Sequence, residues 1–171
     1  MNIIGIVFLL LGSNGLGYCL CRQKMSRRRQ IEELAELLNL VQAEIRCHQS
    51  VLEEAFLAIR DRLSGWRYDF LCNLLAQLQK QDGRTLQVMW KQAVREVAAK
   101  TCLKGEEIQL WTEVGERIGF LDLQMQNQVL AQYVDRLQKT AASLEKEEAQ
   151  TCRLYRVLSA AGGLLLAVLL L

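Results

Sequence analysis

The sequence predicts an all-α protein: a six-helix bundle flanked by an N-terminal and a C-terminal transmembrane helix. Three observations carry that class. The 171 residues contain no proline, and no run of alternating β-branched residues reads as a strand. Apolar residues return at steps of three and four, the spacing that lays them along one side of a helix. Both ends are uncharged apolar runs bordered by basic residues, as in membrane spans whose basic side faces the cytoplasm.

Asn2–Cys21 carries no charged side chain. About 20 such residues at roughly 1.5 Å each cover the roughly 30 Å hydrocarbon core of a bilayer. Arg22, Lys24, Arg27, Arg28 and Arg29 follow directly. Moving Lys and Arg across a bilayer is costly, and anionic lipids hold them on the cytoplasmic side. A cleavable signal peptide would carry its charge before the apolar run, so the polarity here is reversed. A lipid-modified Cys19 would follow bulky Tyr18 and would lack a basic region ahead of it. At the other end, Val157–Leu171 follows Arg153 and Arg156. That run reaches only about 22 Å, so it needs snorkelling arginines and a locally thinned bilayer. A buried helix is the alternative, against which Gly162–Leu171 is apolar on every face. The expected organisation is an anchor at 1–22, a cytoplasmic helical body at 23–152 and a second anchor at 153–171.

Each helix of the body has its own signals. In the first, Ile31, Leu34, Leu38, Val41 and Ile45 line one side, widened by Leu37 and Leu40. Glu32, Glu33, Glu36, Gln42 and Glu44 take the other. This helix continues directly from the first anchor. Ser50 and Glu53 form a capping box for the second helix, with Leu52, Phe56, Ile59 and Leu63 inward and Ser64-Gly65 at its end. The third runs Trp66–Gln81, with Phe70, Leu71, Leu74, Leu75 and Leu78 inward, and closes on the turn Gln81-Asp82-Gly83-Arg84. Thr85 caps the fourth, which buries Leu86, Met89, Trp90, Ala93, Val94 and Val97. The fifth begins near Lys104, with Glu106 and Glu107 complementing the helix dipole and Ile108, Trp111, Val114 and Ile118 inward. Gly119 suits the left-handed position past its end. Asp122 caps the sixth, whose stripe is Met125, Val129, Tyr133, Leu137, Ala141 and Leu144. Trp90 and Trp111 fall on apolar stripes and read as core anchors.

Several chemistries have no support in the chain. Twenty-one basic and 19 acidic side chains leave a formal net charge of +2, which gives no reason to expect nucleic-acid binding. The cysteines are Cys19, Cys21, Cys47, Cys72, Cys102 and Cys152, with no C-x-x-C pair. A cytoplasmic body implies reduced thiols. His48 is the single histidine. Beside Cys47 it points about 100° away, so the two do not face each other as nucleophile and base, and with no second ligand pair they read as a helix end and not as half a metal site. There is no phosphate-binding glycine motif. Glu53/Glu54, Glu106/Glu107 and Glu147/Glu148 read as solvated pairs on exposed faces. No catalytic residue, metal ligand or cofactor site emerges.

The run Leu103-Lys104 … Gly115-Glu116-Arg117-Ile118-Gly119-Phe120-Leu121-Asp122, with Gln128 six residues on, resembles the signature of the stage III sporulation protein AB family. The tail Gly162–Leu171, the segment Arg29-Gln30-Ile31 … Leu40-Val41-Gln42-Ala43-Glu44-Ile45 and the chain length are similar in kind. One departure is Ser50-Val51, where the family often has a proline after its first long helix. The resemblance implies a non-enzymatic part in endospore formation, within an assembly across the two membranes between mother cell and forespore. That assembly includes a secretion-type ATPase, stage III sporulation protein AA, and ring-forming proteins, and is proposed to act as a channel. The family is similar in fold to the cytoplasmic domain of type II secretion and type IV pilus platform proteins, a six-helix bundle that contacts a motor ATPase.

The resemblance therefore implies an adaptor in the mother-cell or outer forespore membrane, with the ATPase and other channel components as partners. Gly115, Glu116, Gly119 and Asp122 are the candidate contact. The glycines and the aspartate are also explained by helix capping, whereas Glu116 is not required by the turn. Two alternatives stand beside this one. A generic membrane-tethered scaffold would self-associate, and Gly5, Gly12, Ser13 and Gly17 would let spans of a homo-oligomer pack. An enzyme using Cys19 and Cys21 would lack a catalytic partner.

Overall fold

The computed structural model describes residues 3–48, 52–80, 83–119 and 123–169, and within them leaves undescribed the side chains of 3–21, 23, 24, 48, 123, 150, 155, 156, 158–160 and 162–169. Six helices follow in order: α1 (Ile3–His48), α2 (Leu52–Arg60), α3 (Trp66–Leu78), α4 (Leu86–Ala98), α5 (Gly105–Ile118) and α6 (Leu123–Leu169). Among the described residues there is no strand. The chain divides into two compact units, Arg29–Ala141 and a second made of Met1–Arg28 with Ala142–Leu171.

The first unit is the body. Helices α2, α3, α4 and α5 pack in sequence, each on the next. Ile31, Leu34, Leu37, Leu38, Val41 and Ile45 of α1 are all essentially fully buried, as the spacing predicts. The polar side of α1 is put to structural use. Trp66 donates its indole N–H to Glu33 at 2.7 Å, Arg67 its guanidinium to Glu36 at 2.5 Å, and Gln42 its amide to the Asn127 carbonyl at 2.9 Å. Aromatic rings fill the centre. Phe70 lies 4.9 Å from Trp90 and 4.7 Å from Trp111, and Trp66 meets Trp111 edge-on at 5.2 Å. Offset and tilted contacts of this kind match the quadrupoles of the rings.

Local differences from expectation have local causes. Helix α2 stops at Arg60 because Arg62 and Leu63 donate to Ile59 and Arg60 carbonyls three residues back, tightening the chain into a turn. Gly65, just before α3, and Gly83, just before α4, hold the positive φ values of 63° and 77°, where a side chain would be strained. Thr85 caps α4 through its carbonyl, which accepts from the N–H groups of Val88 and Met89, and makes no hydroxyl cap. The Ser50 cap lies outside the described residues. On the part of α6 within this unit the buried described residues are Gln126, Leu130, Tyr133, Val134, Leu137 and Ala141, while Met125 is 54% exposed.

The second unit joins the first part of α1 to the last part of α6. Arg28 Nε donates to Glu148 Oε2 at 3.1 Å, and Glu148 is buried although the sequence placed it on an exposed face. Cys47, Cys72 and Cys102 are free thiols, whereas Cys152 is disulfide-bonded. A compartment sets an average redox state and is silent about cysteines brought side by side. Among the described residues no helix is long and apolar enough to cross a membrane. The spans expected at 1–22 and 153–171 fall mostly on side chains outside the description.

Candidate partner-binding surface

The candidate residues sit at the far end of α5. Its start is tied by Glu107, whose carboxylate accepts the Lys104 backbone N–H at 2.6 Å. This is half of a capping box. Lysine carries no acceptor, so the reciprocal half cannot form. Folding back in this way leaves Glu107 only 3% exposed, correcting the expectation of a solvated Glu106/Glu107 pair. The negative charge lies where the helix macrodipole favours it.

The middle of α5 is fixed against α4. Trp90 donates its indole N–H to the Trp111 carbonyl at 2.8 Å. Gly115 then lies directly against the same indole. A Cβ built on Gly115 would fall 2.6 Å from Trp90 Cβ and closer still to Cγ and Cδ1. Gly115 is thus buried and spoken for by close helix packing, with no surface to offer a partner. The inward set of α5 is Glu107, Leu110, Trp111, Val114, Gly115 and Ile118, so Leu110 takes the buried place expected of Ile108.

Gly119 follows α5 with φ −71°, in the right-handed region, which corrects the left-handed assignment. An added Cβ there would lie in ordinary van der Waals contact with Leu86, 3.4 Å from its Cβ, so neither the backbone nor the space requires glycine. The Ile118 carbonyl accepts from the Gln126 amide at 2.9 Å, which satisfies one of the open acceptors at the helix end and ties α5 to α6. Asp122 lies outside the described residues.

Glu116 differs from its neighbours. It is half-buried, and it makes no hydrogen bond or ion pair with any described residue. It also lies in the last turn of α5, where the dipole disfavours an anion. Arg117, next to it, is turned instead to Tyr133 on α6. Burial pushes the Tyr133 phenol above its ordinary value; the charge and hydrogen bond of Arg117 pull it down, and Glu113 pushes it up.

Of the basic residues expected at a membrane interface, Arg22 and Arg153 are exposed, and Arg27 is half-buried with a partner. Arg28 is taken up by Glu148 and Arg29 by Glu33. Lys24 and Arg156 have side chains outside the description. Among the described residues no group of three or more His, Cys, Asp and Glu is placed to hold a metal ion.

An all-α body with a tightly packed core and, among the described residues, a shielded carboxylate without a partner defines a helical-bundle protein with a candidate contact surface. The chain belongs to the stage III sporulation protein AB family, whose profile matches residues 2–171. It is 25% identical over 171 residues to stage III sporulation protein AB of Bacillus subtilis (strain 168), covering 100% of this chain and 99% of that relative. It is also similar to a solved structure of stage III sporulation protein AB (SpoIIIAB), with a TM-score of 0.65 and 25% identity, over 73% of this chain and 98% of the other. The protein is thus a sporulation-related component.

Proposed function

We propose that this protein is a non-enzymatic adaptor that couples the secretion-type ATPase of the sporulation channel, stage III sporulation protein AA, to the membrane part of that assembly. Residues 1–22 and 153–171 anchor it in the mother-cell or outer forespore membrane, and the Arg29–Ala141 body faces the cytoplasm. The observation that carries the reading is Glu116: a half-buried carboxylate with no partner among the described residues, at a helix end where the dipole opposes it and next to the tightly packed Gly115. A group that costs stability and serves no contact within its own chain is suited to an external cation. Glu116 and the exposed backbone at Gly119 form the proposed contact, with Asp122 following them in sequence. Gly115 supports it from beneath.

Glu116→Lys in the full-length protein should leave circular dichroism and melting temperature nearly unchanged and weaken ATPase binding at least tenfold. Unchanged binding with a normal spectrum would remove Glu116 from the interface. In the native host, a deletion strain should lose heat-resistant spores. Full-length protein should restore them, and Met25–Gln150 without its anchors should not. Normal sporulation of the deletion strain would reject the coupling role.

A further inference from the structure

Among the described residues the two most exposed large apolar side chains lie on α6, and Met125 and Met25 follow them. Leu154 and Val157 on α6 are each 61% exposed, and Met25 on α1 is 53% exposed. All three belong to the unit formed by Met1–Arg28 and Ala142–Leu171. Along the outer side of α6 the character changes within about two turns. Glu145, Lys146 and Glu147 are exposed, then Arg153, then Leu154, Val157 and Ala161. An exposed helix side that passes from charged to apolar through an arginine marks a change of solvent.

The Arg28–Glu148 pair sets the register of the two helix segments. Arg22 lies six residues before Arg28, and Leu154 six residues after Glu148. In two antiparallel helices pinned at that pair, both positions stand about 9 Å beyond it, at one height. Arg153 is next to Leu154 in sequence. Arg22 and Arg153 are exposed, and neither forms an ion pair or hydrogen bond with any described residue. Two guanidiniums without a described partner therefore stand at one level, near Met25, Leu154 and Val157 in sequence. Guanidinium donors match phosphate oxygens bidentately, and the apolar neighbours match the acyl boundary just below a phosphate layer.

We infer that Arg22 and Arg153 form a paired collar that binds the phosphates of anionic phospholipids and fixes the depth of the protein in the bilayer, with Met25, Leu154 and Val157 facing the lipid. This rests on the membrane-anchored reading above and adds a lipid selectivity to it. The part-buried Arg28–Glu148 pair is the spacer that keeps both arginines level.

The full-length protein reconstituted into vesicles of equal parts phosphatidylcholine and phosphatidylglycerol provides the test. Flotation first establishes incorporation. Electron spin resonance of spin-labelled phosphatidylglycerol and phosphatidylcholine then gives the relative affinity of the protein for each lipid. The wild type should prefer phosphatidylglycerol about fivefold, the effect of roughly one basic group near an anionic surface. That preference should fall towards unity in Arg22→Gln/Arg153→Gln and in molar salt, where charges are screened within about 3 Å. Arg95→Gln, an exposed change on α4, should leave it unchanged. Incorporation without preference, or a preference that survives the double substitution, overturns the collar and leaves the anchors standing. Failure of the folded wild type to float overturns both.

Discussion

Glu107 and Glu116 are two carboxylates on one helix, and neither is freely solvated. Glu107 opens α5, is 3% exposed and accepts the Lys104 N–H. Glu116 lies in the last turn, half-buried, with no described partner. The backbone dipole favours a negative charge at the first place and opposes it at the second. The same chemical group thus supports the fold at one end of α5 and works against it at the other. Stability accounts for the first residue and leaves the second unexplained, which is why burial alone is a poor guide to function here.

Between them lies the packing that holds the comparison in place. Gly115→Ala should have the largest effect. In an open helix this change would stabilise by about 0.5–1 kcal/mol. Here the new methyl meets the buried Trp90 indole, whose N–H is committed to the Trp111 carbonyl. Overpacking of this kind costs about 1–3 kcal/mol, readable as a lowered midpoint in urea. An unchanged or raised midpoint would show that the α4–α5 seam yields, and that Glu116 is not rigidly presented. Glu107→Ala comes next, with a loss of about 1–2 kcal/mol from the cap and the dipole. Glu107→Gln should recover most of it, because the amide oxygen still accepts the Lys104 N–H. Equal losses for the two would place the effect in the charge.

Sequence patterning reveals the helix count, the α1 stripe and both central tryptophans, because each depends on local periodicity and bulk. The start of α6 shows where patterning fails. Met125, Val129, Tyr133, Leu137 and Ala141 recur at steps of four, yet each such step drifts about 40° around a helix. Met125 and Ala141 therefore end on nearly opposite sides, and the folded chain substitutes Gln126, Leu130 and Val134. Gly119 fails for a different reason. A glycine after a helix is consistent with either hand of backbone, and only the observed φ of −71° separates them. Burial of Glu148 beside Arg28 joins residues 120 apart in sequence, and no local pattern encodes that. The Gly115–Asp122 stretch was singled out through family resemblance. That Gly115 is committed to packing while Glu116 is half-buried with no described partner needed coordinates.

Tyr133 offers a smaller effect on the same face. Its phenol is pushed above the ordinary value, first by burial. A folded-state pKa raised above the unfolded one means that the native state holds its proton more tightly. The resulting stability is present below about pH 10 and is lost as pH rises through the raised value. Tyr133→Phe should therefore flatten the fall in melting temperature on the alkaline side, while leaving the acid side of the profile unchanged. A fall of the same steepness in both proteins would mean that Arg117 compensates for the burial.

Glu116→Gln should have the smallest effect on stability and the most informative sign. Removing a charge without a described partner from the last turn relieves an unfavourable dipole interaction worth about 0.3–1 kcal/mol at low salt, shrinking as salt is added. The substitution should raise the urea midpoint slightly in the isolated protein. In the presence of the ATPase the same substitution should lower apparent stability, since a partner that binds only the folded state stabilises by mass action and the variant loses part of that binding. A carboxylate retained for folding would give a loss in both conditions. A gain alone and a loss in complex is the signature of a residue kept for its partner.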